Sequence, residues 1–281
     1  MKSILFDPNN HLFNLARSGQ RLPHILLAIP LAFAIILLAI IGGGLVAALL
    51  VGALSVVSGE VDLATFDFSD SAEIERLVLP DTALEQVIFL VLSFGPIFLI
   101  LWLWLYLFEK RPLWSTGLEW RQALWHYGRG LLVGLLMFTA AIGISALFGY
   151  IAFEDGDPQR QGFSALLGVL FVFIGWMVQG AAEELITRGW LLPVIGARYS
   201  PTWGIIISSL IFMIFHARNP NLSIIALLNL FLFGLFATLY ALYEGGLWGS
   251  LASTPFGIGR RVIFLALRLA GKLHRGGLCS I

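Results

Sequence analysis

Between Arg21 and Glu60 the chain carries no charged side chain. Spanning about 30 Å of hydrocarbon takes roughly 20 apolar residues in a helix, because only a helix satisfies its own backbone polar groups in lipid. The run that starts near His24 exceeds that length and lacks a small-residue cleavage site, so it reads as a membrane span and not as a removed signal peptide. Comparable runs occupy 85–108, 129–153, 163–195, 202–217 and 221–243, and a short apolar stub follows from Leu247 to Ala252. The expected fold is therefore an all-α, polytopic transmembrane helical bundle with six full spans and a truncated seventh. The fourth run would be about 50 Å long if unbroken, so it must tilt, kink near Pro193 or project past the bilayer.

Composition agrees. Hydrophobic residues make up 58% of the 281 and charged residues 12%, against roughly 25% charged in ordinary soluble domains. Seventeen basic residues balance seventeen acidic ones, so no global charge argues for nucleic acid. Cys279 is the only cysteine, which excludes an intrachain disulfide framework and supports neither a cysteine-rich zinc site nor a thiol nucleophile.

Charge is sorted between the loops. Lys2, Arg17 and Arg21 precede the first span, and Lys110, Arg111, Arg121 and Arg129 lie between the second and third, which places both segments in the cytoplasm by the positive-inside rule. Between them Glu60, Asp62, Asp67, Asp70, Glu73, Glu75, Asp81 and Glu85 face a single Arg76, an acidic loop that belongs outside. Glu154, Asp155 and Asp157 continue the alternation. Trp102, Trp104, Trp114, Trp120 and Trp125 gather at one membrane edge, as an interfacial aromatic belt does.

Inside the fourth run the sequence reads Ala181-Ala182-Glu183-Glu184-Leu185-Ile186-Thr187-Arg188. Charges at that depth cost several kcal/mol each unless they are paired or line a wet cavity. Glu184 and Arg188 are four apart, on one helix face and in the favourable order for an ion pair. Glu183 lies about 100° round and faces a different partner. The bland explanation is an ion-pair network that pins helices, or an interfacial segment that is simply solvated.

The fifth run ends Phe212-Met213-Ile214-Phe215-His216. If the fourth and fifth runs form an antiparallel hairpin turning near Ser200, Glu183 stands 17 residues before the turn and His216 stands 16 after it. Both then lie about 25 Å from the turn, at one depth. A glutamate beside a histidine in a water-accessible pocket suits hydrolysis: a carboxylate of raised pKa takes a proton from water and the imidazole donates to the developing oxyanion. Glutamate and histidine are also zinc ligands, so Glu183 and His216 are candidate metal ligands, without standard zinc spacing. Other intramembrane chemistries lack their residues. No histidine is followed by glutamate, no G-x-S-G occurs, and no pair of aspartates lies within the apolar runs. Two non-proteolytic readings remain: a proton-coupled transporter that relays protons through Glu183, Glu184 and His216, or a catalytically silent membrane scaffold.

At these residues the sequence resembles the CAAX prenyl protease and bacteriocin-processing family (CPBP), whose signatures are E-E-x-x-x-R, F-x-x-x-H and H-x-x-x-N on successive core helices. Glu183, Glu184 and Arg188 supply the first, and Phe212 and His216 the second, followed by Asn219-Pro220. The stretch from Arg111 to Gly117 and the Gly245-Gly246-Leu247-Trp248-Gly249 segment fit as minor features, so the resemblance covers about 109–252. It implies an intramembrane endopeptidase in which Glu183 activates the attacking water, Glu184 and Arg188 order the pocket, His216 supports the water or oxyanion, and Phe212 packs one turn below His216. It implies a membrane-borne or lipidated peptide substrate, a lipid setting such as a bacterial inner membrane, and a zinc requirement that is debated.

The third signature is missing, since no H-x-x-x-N follows Trp248. The expected organisation is thus 1–108, an N-terminal segment with two spans and an acidic outer loop; 109–252, the protease-like core; and 253–281, an aberrant basic tail. In that tail Arg260, Arg261, Arg268, Lys272 and Arg275 appear, and no acidic residue follows Glu244. A basic interfacial helix is one account of it. Codon degeneracy offers another. From Ser253/Thr254 onward, pairing the last base of each codon with the first two of the next permits H-A-F-W-N-W-A-K/Q-G with no residue of the chain changed. That string contains the missing H-x-x-x-N, so a one-base deletion or an equivalent frameshift at about Ser253, natural or from a sequencing error, is the expectation, with peptidase activity abolished or severely reduced in the chain as written.

Overall fold

The structure, a computed structural model, describes residues 4–149, 163–217 and 223–257. Glu154, Asp155 and Asp157, Arg218, Asn219 and Pro220, and the tail from Ile258 onward lie outside the described residues. Among the described residues no strand occurs. In chain order the helices are α1 (His11–Arg17), α2 (Ile25–Val57), α3 (Ser71–Val78), α4 (Ala83–Trp104), α5 (Ala123–Leu147) and α6 (Phe163–Glu184). They continue with α7 (Leu192–Arg198), α8 (Pro201–His216), α9 (Ile224–Glu244) and α10 (Trp248–Gly257).

Five helical stretches among the described residues are long and apolar enough to cross a membrane: Ile25–Val57, Ala83–Glu109, Ala123–Leu147, Leu167–Arg198 and Ile224–Glu244. The expected sixth full span is corrected. Residues 201–216 do form a helix, but at 16 residues it is about 24 Å long, short of a hydrocarbon core about 30 Å thick. Its start is fixed sharply by Pro201 at the first helical position and by the Ser200 hydroxyl, which accepts the Trp203 N–H. The long fourth run remains helical past Pro193. It stays helical through a π turn, Leu185–Leu191, in which the Leu192 N–H donates to the Thr187 carbonyl five residues back.

The chain divides into two compact units. One comprises residues 38–95 and 136–179 with the acidic segment. There Leu90, Val172 and Trp176 form a core flanked by Val87, Phe94 and Phe173, and Gly43 lets α2 cross α4, since a Cβ at that position would overlap the Leu92 carbonyl. In the acidic loop Asp70 caps α3. Thr82 and Glu85 form a reciprocal capping box at the start of α4. Exposed Asp67 is held below the usual carboxylate range by the Ser69 hydroxyl and backbone N–H.

The other unit comprises residues 1–37, 96–135 and 180–257. Its core packs Leu12, Phe13 and Leu15 of α1 against Leu192, Ile205, Ala241 and Leu242. Two turns with glycines in the left-handed region, Gly117 (φ 90°) and Gly245 (φ 66°), flank the bond from the Leu247 N–H to the Gly117 carbonyl. That bond ties the 111–117 stretch to the entry of α10, joining the two minor features read from sequence.

Candidate active site

The residues singled out from sequence all belong to the second unit. Glu184 and Arg188 form an ion pair with Arg188 Nη1 2.7 Å from Glu184 Oε1, and both side chains are fully buried. The rest of the guanidinium is engaged as well. Nη1 donates to Thr187 Oγ1, Nη2 to the Gly234 carbonyl at 3.0 Å, and Nε to Thr238 Oγ1 at 3.4 Å. Ser208 and Ser209 surround Thr238, and the hydroxyls of Ser250 and Thr254 on α10 border Glu184. The spacing of four gave the pair; its hydroxyl lining was not anticipated. The available signal was the row of serines and threonines within apolar helices.

Gly234 makes this crossing close. A Cβ there would press on Ser209 backbone atoms at 3.2–3.3 Å, so the residue lets α9 approach α8 closely enough for its carbonyl to meet Arg188.

The structure brings Glu183 and His216 together. His216 Nε2 is 3.7 Å from Glu183 Oε2, and their side chains are 14% and 10% exposed. The other ring nitrogen, Nδ1, lies 2.9 Å from the Phe212 carbonyl. A carbonyl only accepts, so Nδ1 carries the proton in that bond and Nε2 points at the carboxylate. Phe212 also joins the two halves of the constellation. Its ring lies 4.3 Å from the Arg188 guanidinium carbon and 4.6 Å from the His216 ring, centre to centre.

The two adjacent carboxylates therefore occupy different surroundings. Glu184 is sealed and neutralised by a guanidinium. Glu183 stands beside an imidazole, with 10% of its side chain exposed.

Residues 163–253 match the family described as type II CAAX prenyl endopeptidase, Rce1-like. Over that segment the chain is similar to the CAAX-type protease family. The matched segment runs from α6 into α10 and includes Glu183, Glu184, Arg188, Phe212 and His216. Comparison with curated proteins and with solved structures returned no match.

Zinc is a poor fit to this donor set. Among the described residues no group of three or more His, Cys, Asp or Glu side chains is placed to hold a metal ion. Glu183 and His216 are two donors where catalytic zinc ordinarily takes three protein ligands, so no step below is routed through a metal.

Proposed function

We propose that this chain has the architecture of an intramembrane endopeptidase that hydrolyses a membrane-borne or lipidated peptide by glutamate-activated water. The observation that carries the reading is the 3.7 Å approach of Glu183 Oε2 and His216 Nε2 within a segment similar to the CAAX-type family. One water molecule can lie about 2.8 Å from both atoms, donating a proton to each. As that water attacks the scissile carbonyl carbon, its proton passes to the Glu183 carboxylate and the carbonyl π electrons move to oxygen. Collapse of the tetrahedral intermediate expels the amine, which takes the proton from Glu183. The products are a carboxylic acid and an amine, which exchange a proton to become carboxylate and ammonium. Glu184 and Arg188 do not touch the substrate in this scheme; they hold the helix that presents Glu183, and Phe212 orients the imidazole.

The partners are membrane lipid and a peptide inserted in or anchored to it. The loop charges favour a cytoplasmic N-terminus in a membrane such as a bacterial inner membrane.

The third family signature would fall on α10, at the level of Thr254, whose hydroxyl borders Glu184. We assign the present tail to a shifted reading frame from about Ser253 and expect the chain as written to hold half a site. The test uses proteoliposomes and a peptide bearing a prenylated cysteine near its C-terminus. A chain read in the other frame after Ala252 should cleave it at least ~10²-fold faster than the chain as written, the scale of one lost acid–base group. Equal rates, or codons that do not encode histidine and asparagine four apart in that frame, would remove the assignment. An inactive reframed chain would remove the proteolytic reading itself.

A further inference from the structure

A second buried carboxylate lies apart from the reacting pair. Glu109 is 1% exposed and ends a short π turn, Leu105–Glu109, that prolongs α4. Its Oε1 accepts the indole N–H groups of Trp104 at 2.8 Å and Trp190 at 2.6 Å, and its Oε2 accepts Arg111 Nε at 2.7 Å. Arg111, itself buried, continues to the Ser115 carbonyl and hydroxyl. Trp190 is fully buried and belongs to the π turn that immediately follows Glu183 and Glu184.

A π turn holds one residue more than the α turn it replaces. Reverting it to α would rotate everything on one side relative to the other by about 100° and shift it by about 1.5 Å. The α7 side cannot easily turn, because Leu192 is packed among Leu12, Phe13, Leu15 and Ile205. Rotation would therefore fall on the α6 side, carrying Glu183 away from His216 and Glu184 away from the seat that Arg188 shares with Gly234 and Thr238. Trp190 lies inside this turn, so its bond to Glu109 ties the wide register to the end of α4. Inside the turn the Thr187 hydroxyl donates to the Glu183 carbonyl, four residues back, at 2.6 Å.

We infer that Glu109 is a positioning residue, which through Trp190 holds the 185–191 turn in its π register and so aims the Glu183–Glu184 pair. The consequence for catalysis rests on the function proposed above, but the test reads bonds rather than turnover, so either can fail alone.

The full chain, labelled with ¹⁵N at arginine and tryptophan in lipid nanodiscs, supplies the readout. In the unsubstituted protein the Trp190 indole proton should exchange with solvent as slowly as the Arg188 guanidinium protons; fast Trp190 exchange overturns the inference without any variant. In Trp190→Phe and in Glu109→Ala the Arg188 side-chain signals should shift and lose their slow exchange. Those of Arg129, which is paired with Glu244 on other helices, should stay in place. Glu109→Gln keeps an oxygen that can accept an indole N–H and should retain the Arg188 signals. Unchanged Arg188 signals in a folded Trp190→Phe protein, or an equal loss at Arg188 and Arg129, contradict the inference. Should Trp190→Phe not fold, the Ala and Gln variants of Glu109 and the exchange comparison decide it.

Discussion

Glu183 and Glu184 are neighbours in sequence and live in different media. Glu184 lies in the closed seam between α6, α8, α9 and α10, with no exposed side-chain surface and a guanidinium at 2.7 Å. Glu183 opens on the edge occupied by His216, with 10% of its side chain exposed. The seam is the kind of site where charge is tolerable only when every group has a partner, and there removal of one partner is felt as instability. At the edge, under the function proposed above, substitution is felt as lost chemistry. One helical step of about 100° is enough to separate the two roles.

The sharpest separation should come from Glu183→Gln in the reframed chain. Cleavage of the prenylated peptide should fall by about 10²–10⁴-fold, while thermal unfolding in detergent should stay within about 0.5 kcal/mol of the parent. A comparable loss of stability would place Glu183 in the seam after all. Arg188→Leu should do the opposite, destabilising the fold by about 3–5 kcal/mol because Glu184 is left charged and buried. The double variant Glu184→Leu/Arg188→Leu should recover much of that loss in the same unfolding assay, which a purely steric role for Arg188 would not allow.

Smaller effects test the packing that joins seam and edge. A Cβ at Gly189 would meet Leu247 and Thr116 at 3.1–3.2 Å, so Gly189→Ala should cost about 1–3 kcal/mol as the π turn is pushed from the 111–117 stretch. Thr238→Val keeps volume but loses the long bond from Arg188 Nε. About 1 kcal/mol is expected, readable as a lowered midpoint of thermal unfolding.

The helical membrane architecture was legible because apolar runs that long have no other way to satisfy their backbone, and the level placement of Glu183 and His216 followed from counting residues on either side of Ser200. Register within a helix was less legible. Nothing in Leu185–Leu191 announces a π turn, since its signature is a tertiary bond from Trp190 to Glu109, a residue that sequence reading passed over beside the loop charges of Lys110 and Arg111. The shortness of α8 was hidden because the apolar residues continue to the end of the helix, and length alone decides whether it spans. The packing of Leu12, Phe13 and Leu15 with Leu192 and Ile205 was not legible, since seven residues of α1 are too few for a periodicity to declare itself.

The central claim is that Glu183 and His216 act on one water molecule as a unit, and a double-mutant cycle on the reframed chain tests it most directly. Glu183→Gln, His216→Gln and the pair together would be compared by kcat/KM for the prenylated peptide. If both side chains serve the same step, the double variant should be no slower than the slower single variant, within about threefold. Losses that multiply, so that the double variant falls by the product of the two single effects, would mean that the two residues contribute independently and that their 3.7 Å approach is packing rather than chemistry.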